Sequence, residues 1–227
     1  MYIPKHFDAS DVAWCHALIR REPFAILIGV DEAGAPFATH LPVLLDEAPA
    51  PLGTLLAHVA RPNPQWRLFA PDRRVLVVFP GAHAYVSPSW YGQHPSVPTW
   101  NYVAVHAYGV PRVIEDPGRV RAVLDRLVRT FEDGRPAPWR MDGLADTYVE
   151  GMMRGIVAFE VPIDRLEGKS KLSQNRPEAD QARVRAALRA EGDPMATAVA
   201  ELMELRAAGT DAGAPRGRHG DWPVGGA

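Results

Sequence analysis

Two neighbouring segments of the chain combine side chains that suit a phosphate group. Thr39 and His40 lie in the motif THLP, while His58, Arg61 and Asn63 lie in HVARPN. Arginine forms charge-assisted hydrogen bonds with phosphate oxygens, and backbone N–H groups at the start of a helix bind anions. The alternative is that Asn63 only caps a helix and that Arg61 is solvated. Both interpretations stay open at this point.

An aromatic-rich stretch follows at residues 87–106. Its motifs SPSWY and VPTWNYVAVH contain two tryptophans, two tyrosines, several hydroxyl groups and the amide of Asn101. Rigid aromatic rings beside hydrogen-bonding groups suit a flat heteroaromatic ligand. An aromatic dimer interface is the alternative, and one surface can serve both purposes.

The third polar segment is GKSKLSQNR (168–176), which contains Lys169 and Lys171. The chain has 25 lysines and arginines in all, and Lys5 is the only lysine outside this segment. A solvated surface loop would explain the polarity. The concentration of lysine in one short segment favours an anion site instead.

Common catalytic signatures are absent from the sequence. It contains no G-x-G-x-x-G after a strand, no Walker P-loop, no G-x-S-x-G elbow and no H-E-x-x-H motif. Cys15 is the only cysteine, which excludes an intramolecular disulfide and a thiolate metal cluster. Each histidine is interpreted as a structural hydrogen-bonding residue, although a metal site assembled from several strands stays open.

The formal net charge of −2 provides no overall attraction for nucleic acid or an acidic membrane. The first residues lack the apolar core of a signal peptide, and no apolar run approaches the ~20 residues that span a bilayer. We therefore expect a cytoplasmic protein with no membrane partner.

Apolar runs predict six or seven strands before residue 164. We expect these strands at 24–30, 37–45, 53–60, 74–80, 82–87, 100–115 and 155–163. They do not alternate regularly with helices, as the strands of a doubly wound parallel sheet would. The predicted fold class is therefore mostly β with peripheral helices (α+β), arranged as an antiparallel barrel.

Capping residues and helical periodicity predict the helices. The first is expected to begin at Asp8 and to stop before Pro23, and the block 166–177 is too polar for a core strand. A helix capped by Asp116 is expected from Pro117, with an apolar stripe formed by Val120, Val123, Leu124, Leu127, Val128 and Phe131. Other helices are expected from Pro64 and near 142–154, 178–191 and 194–208. We predict a barrel domain, a helical appendage and a disordered tail, at 1–176, 177–209 and 210–227.

Several motifs together resemble the PaiB family, which is described as a group of negative transcriptional regulators. The matching motifs are MYIPKHF, HVARPNPQW, YVSPSWY, VPTWNY followed by VHAYG, and LEGKSKLSQNRPEAD. VPTWNY and KLSQNR are the most specific of them, and the resemblance spans roughly residues 1–190. It implies a split β-barrel of the FMN-binding type, forming a homodimer with FMN at the subunit interface.

The resemblance also implies roles for individual residues. One strand pair and its following loop would hold the phosphate and ribityl groups of FMN through Thr39, His40, Leu41, Pro42, His58, Ala60, Arg61 and Asn63. The other subunit would approach the flavin ring or the phosphate with Trp100, Asn101, Lys171, Ser173 and Gln174. No residue is identified as catalytic, and Tyr102 and His106 are the candidates for an acid or base.

Direct DNA binding would require the two C-terminal helices to form a helix-turn-helix. The second helix would enter the major groove, but Glu201 and Glu204 outweigh Arg206 there. In the first helix, acidic residues offset three arginines. We therefore expect any regulation to act through the flavin, a small molecule or a protein partner.

Three other functions stay open. The protein could be an FMN-dependent oxidoreductase, in which the flavin carries the redox chemistry. It could instead bind haem through an axial histidine, for which His40, His58 and His106 are the candidates. A structural dimer that has lost its cofactor is the third alternative.

Overall fold

The computed structural model describes residues 1–48 and 51–209, with eight strands and five α-helices in that part of the chain. The strands are β1 (Phe24–Val30), β2 (Pro36–Pro42), β3 (Leu44–Asp46), β4 (Thr54–Ala60), β5 (Val75–Val86), β6 (Thr99–Gly109), β7 (Arg112–Val113) and β8 (Ile156–Lys171). The α-helices are α1 (Val12–Arg21), α2 (Pro117–Glu132), α3 (Asp146–Met153), α4 (Glu178–Ala190) and α5 (Pro194–Ala207). Short 3-10 helices cover Lys5–Phe7, Pro64–Leu68 and Pro88–Trp90.

The strands form one sheet in the order β2-β1-β5-β6-β8-β4-β3, with β7 paired to β8. The pairs β1–β2, β3–β4, β4–β8 and β7–β8 are antiparallel. The chain folds as two compact units, and β5, β6 and β8 have residues in both. The first unit contains Met1–Glu22, Val78–His106 and the segment from Leu166, and the second contains Pro23–Val77 and Ala107–Arg165.

The core of the first unit includes one face of α1 and most of α5. Leu18 and Ile19 of α1 are buried, and so are Leu202 and Met203 of α5. Helix α5 packs against α4, whose Val184 and Leu188 are also buried. Burying such aliphatic side chains is the main favourable contribution to folding, at roughly 25 cal/mol per Å².

The second unit has its own core, which confirms the apolar stripe predicted for α2. Val120, Val123 and Leu127 of α2 pack with Leu44 of β3 and Leu56 of β4. The side chain of Asp116 accepts a hydrogen bond from the backbone N–H of Arg119 at 2.8 Å and so caps this helix as expected.

Most of the predicted elements are present, but in three places the strands are joined or divided differently. The predicted strands 74–80 and 82–87 are one continuous strand, β5, whereas 37–45 is divided into β2 and β3. The predicted strand 100–115 is divided into β6, which ends at Gly109, and β7. The division of the chain after residue 176 stays a prediction, and the tail at 210–227 lies outside the described residues.

Two predictions for the first unit are wrong: the cap of the first helix, and the expectation that the block 166–177 contains no core strand. Helix α1 is capped by Asp11, whose carboxylate accepts from the N–H of Trp14, and not by Asp8. Asp8 instead forms a β-bridge with Lys169, because β8 continues through the polar residues up to Lys171. The hydrogen bond from the Ala9 N–H to the Gly168 carbonyl, at 3.0 Å, secures this pairing.

Within residues 1–48 and 51–209, every helix is too short or too polar to cross a lipid bilayer.

The close packing of β6 at Gly109 yields a stability prediction. A Cβ atom at Gly109 would overlap the carbonyl oxygen of Pro162 and a methyl group of Val161. We expect Gly109→Ala to lower the free energy of unfolding by about 1–3 kcal/mol, measured by urea denaturation. Gly134→Ala is the control, because a Cβ there meets nothing within 4 Å. Equal stability of the two variants would contradict this account of the strand.

Candidate functional site

An exposed aromatic cluster lies on β5 and β6. Trp100 is 53% exposed, and its ring centroid lies 6.2 Å from that of His83 and 6.0 Å from that of Tyr85. Tyr102 is on the same side of β6 as Trp100, because alternate residues of a strand face the same way. We call His83, Tyr85, Trp100 and Tyr102 the aromatic face. Exposed aromatic surface of this kind is typical of a ligand or partner site.

Lys169 is nearly buried beside this face. The residue is only 7% exposed, and its Nζ donates a hydrogen bond to the carbonyl oxygen of Tyr2 at 2.9 Å. The same nitrogen lies 5.2 Å from the ring centroid of Tyr102 and 5.6 Å from that of Tyr2. No carboxylate of the described residues forms an ion pair with it, so the ammonium retains unmet capacity to bind an anion.

Lys171 adds a second ammonium group two residues further along β8. Its Nζ donates to the hydroxyl of Thr99 and lies 5.9 Å from the ring centroid of Phe7. Burial lowers the pKa of Lys171, and the positive charge of Lys169 lowers this pKa further. The two ammonium groups therefore repel each other, and an anion bound beside them would relieve that repulsion.

The turn after Lys171 is held by buried polar contacts. The Nδ2 of Asn101 donates to the hydroxyl of Ser173 at 3.0 Å and contacts the sulfur of Met203 at 3.5 Å. Ser173 has a φ of 61°, the left-handed conformation that few non-glycine residues adopt. Gln174 accepts from the N–H of Leu172 and donates to the carbonyl oxygens of His6 and Ser170. These contacts fix where β8 ends and where Lys171 lies.

The residues expected to hold phosphate in the second unit fall into two groups. Asn63 caps the 3-10 helix by accepting from the N–H of Gln65 at 2.9 Å, and its Nδ2 donates to the hydroxyl of Thr39 at 3.0 Å. Thr39 and His40 lie on β2, where His40 is exposed and its ring centroid is 6.3 Å from that of Phe24. Leu41, by contrast, is buried.

Arg61 and His58 belong to the other group, at the end of β4. The guanidinium of Arg61 donates to the carbonyl oxygens of Arg154 and Ile156, at 2.6 and 2.7 Å. Arg61 is therefore not simply solvated, because it anchors the start of β8. The Nδ1 atom of His58 is buried with no hydrogen-bond partner among the described residues, and burial lowers the pKa of this imidazole. Ala60 is the exposed last residue of β4, and Pro42 the last of β2.

The predicted FMN ligands include Lys171 and Trp100 but not Lys169, His83 or Tyr85. The spacing of Lys169 and Lys171 puts both on one side of a strand, but their segment was expected to be a loop. His83 and Tyr85 likewise alternate along β5. Recognising 166–171 as a strand, and pairing the predicted strand 82–87 with the predicted strand 100–115, would have identified these residues.

Comparison with known proteins identifies the family. The family described as "Putative FMN-binding domain" matches residues 1–165. The Bacillus subtilis protein named Protease synthase and sporulation protein PAI 2 is 37% identical over 204 residues, which cover 90% of this chain and 97% of that protein. The chain belongs to this FMN-binding family. The expected PaiB-family membership is confirmed, and FMN is the cofactor of the family.

Solved structures of low sequence identity share the fold of this PaiB-family protein. The flavocytochrome Anf3 from Azotobacter vinelandii superposes with a TM-score of 0.57 at 13% identity, covering 74% of this chain and 72% of that chain. The FAD and haem binding protein from Mycobacterium smegmatis gives 0.52 at 19% identity, covering 77% and 78%. The predicted antiparallel split β-barrel of the FMN-binding type is confirmed.

The residues of the first unit fit the two chemical parts of FMN. Lys169 and Lys171 lack a carboxylate partner among the described residues, which leaves positive charge for the phosphate. The aromatic face presents rings beside them, as a planar isoalloxazine requires. The contacts of the individual residues with FMN stay predictions.

The left-handed turn at Ser173 yields a second prediction. Ser173→Ala loses the hydroxyl contact with Asn101 but keeps the backbone strain, whereas Ser173→Gly also removes that strain. We therefore expect the glycine variant to be more stable than the alanine variant by about 1 kcal/mol in urea unfolding. A less stable glycine variant would contradict the conformation described for this turn.

The buried thiol yields a third prediction. Burial, with smaller contributions from the charges of Asp11 and Asp8, raises the pKa of Cys15 to about 12. Because only the thiolate reacts rapidly, the folded protein should resist a thiol reagent such as DTNB at pH 8. Protein unfolded in urea should react with one equivalent. Rapid modification of the folded protein would contradict the placement of Cys15 in the core.

Proposed function

We propose that the protein is a flavin-dependent sensor or regulator whose FMN lies on the aromatic face, with its phosphate at Lys169 and Lys171. The observation that supports this proposal is a pair of ammonium groups beside exposed rings, with no carboxylate partner among residues 1–48 and 51–209. A phosphate accepts hydrogen bonds from both ammonium groups and from the Thr99 hydroxyl, which already contacts Lys171. When bound, FMN supplies one- and two-electron redox chemistry.

The neighbouring polar residues have positioning roles in this proposal. The side chains of Asn101 and Ser173 form hydrogen bonds with each other, and the side chain of Gln174 forms hydrogen bonds with the backbone. We propose that they hold Lys171 at the end of β8 and do not contact the flavin themselves. The roles of Thr39, His40, Leu41, Pro42, His58, Ala60, Arg61 and Asn63 as phosphate and ribityl ligands stay predictions.

Regulation without direct DNA binding is supported by α4 and α5. Helix α5 would have to enter the major groove, but Ala196, Val199, Leu202 and Met203 are buried along it. The three arginines of α4 are ion-paired with neighbouring carboxylates, in the pairs Arg183–Asp180, Arg185–Glu178 and Arg189–Glu204. These helices therefore offer little free positive charge to a phosphate backbone.

A homodimer is part of the same proposal. Trp100 and Tyr85 are large aromatic side chains left exposed on the aromatic face, and a second copy of the chain would cover them together with the flavin. The name of the Bacillus subtilis relative, which refers to protease synthase and sporulation, supports a role connected with those processes. We also propose that the protein acts in the cytoplasm.

The lysine pair yields the fourth prediction. Lys171→Met keeps an apolar stem but removes the charge, so we expect FMN affinity to fall roughly 10- to 100-fold. Lys5→Met is the matched control, because Lys5 is an exposed lysine that is not assigned to the site. Fluorescence titration with FMN measures both affinities. An unchanged affinity for Lys171→Met would remove this residue from the site.

Two assays on the purified protein distinguish a regulatory function from an oxidoreductase function. A sensor that does not bind DNA directly gives no salt-sensitive, sequence-selective shift in a gel assay. NAD(P)H added in the absence of oxygen should not bleach the flavin within seconds. A selective shift would refute the indirect mode of regulation, and rapid bleaching would favour the oxidoreductase.

A further inference from the structure

A groove in the second unit is rich in arginine. It lies between α2 and the strands β3, β4, β7 and β8 and has a volume of about 500 Å³. Such a volume is typical of small-molecule sites. Leu56 and Val123 form its apolar floor, and Ala122 and Pro162 also line it.

The charges around this groove do not balance. Arg119 contacts the carboxylate of Glu160 at 2.7 Å, and Arg126 contacts that of Asp46 at 3.3 Å. Arg112 also lines the groove, but no carboxylate of the described residues pairs with it. Among the described residues that line the groove, three guanidinium groups face two carboxylates, so these residues carry one net positive charge.

Arg112 is placed close to a carboxylate but does not form an ion pair with it. Arg112 of β7 lies directly opposite Glu160 of β8 in the antiparallel register. Glu160 instead pairs with Arg119 of α2, through its Oε2 atom. The β-pair holds Arg112 at the rim of the groove, where it is exposed and its guanidinium is available to a ligand.

We propose that this groove binds a small organic acid, which has one carboxylate and an apolar body. The planar guanidinium of Arg112 matches a carboxylate through two parallel N–H···O bonds. The single excess positive charge matches a monoanion better than a phosphate dianion. The apolar floor at Leu56 and Val123 contacts the rest of the molecule and excludes water from the ion pair.

Calorimetric titration of the full-length protein, with FMN in excess, tests this proposal. Octanoate is the anionic probe, and octanamide is its uncharged analogue of equal chain length. We expect saturable octanoate binding and at least tenfold weaker octanamide binding, because the amide loses the charge-assisted contact. Inorganic phosphate should not displace octanoate.

Two variants assign the binding to the groove. Arg112→Gln should weaken octanoate binding by roughly tenfold, whereas Arg67→Gln, an exposed arginine of the same unit that does not line the groove, should leave it unchanged. Ala122→Leu fills the groove without altering its charge and should also weaken binding. The proposal is overturned by absent octanoate binding, by equal affinity for octanamide, by displacement with phosphate, or by wild-type affinity in both Arg112→Gln and Ala122→Leu.

Discussion

Lys169 and Lys171 place two ammonium groups on one side of β8, with no carboxylate of the described residues to neutralise them. A buried ammonium without a counter-charge is costly, and one carbonyl oxygen and two aromatic rings offset only part of that cost for Lys169. The rest of the first unit holds this unfavourable pair in place. A bound phosphate would turn the electrostatic cost into binding free energy.

Several elements distant in sequence cooperate to maintain the lysine pair. The N-terminal segment supplies the carbonyl and ring of Tyr2, while the β-bridge of Asp8 with Lys169 fixes the edge of β8. The buried Asn101–Ser173 contact then ends the strand with a left-handed residue. These contacts join residues that are far apart in the sequence. The arrangement of the two lysines therefore requires the whole first unit to be folded.

Much of the fold could be predicted from the sequence, since buried strands such as β1 are continuous apolar runs. The apolar stripe of α2 and its Asp116 cap could be predicted equally well, because each depends on residues that are close together in the sequence. The strand character of Lys169 and Ser170 could not be predicted in this way. Lys169 pairs with Asp8 and contacts Tyr2, both distant in sequence, whereas a local pattern of polar residues indicates a loop.

The competition between Asp8 and Asp11 at the first helix illustrates the same limit. Both are good N-cap residues, and pairing of Asp8 with Lys169 leaves Asp11 as the cap. The aromatic residues of VPTWNY were recognised, but His83 and Tyr85 join them only because β5 lies beside β6 in the sheet. The residue types were enough to predict an aromatic ligand site. The order of the strands in the sheet was needed to know which aromatic residues lie together in it.

The ratio of FMN affinity to riboflavin affinity tests the central claim most directly, because the two ligands differ only in the phosphate. The wild-type protein should bind FMN at least tenfold more tightly than riboflavin. A Lys169→Met/Lys171→Met variant that still folds should bind the two ligands about equally. If the variant keeps the wild-type preference for FMN, the lysine pair does not hold the phosphate.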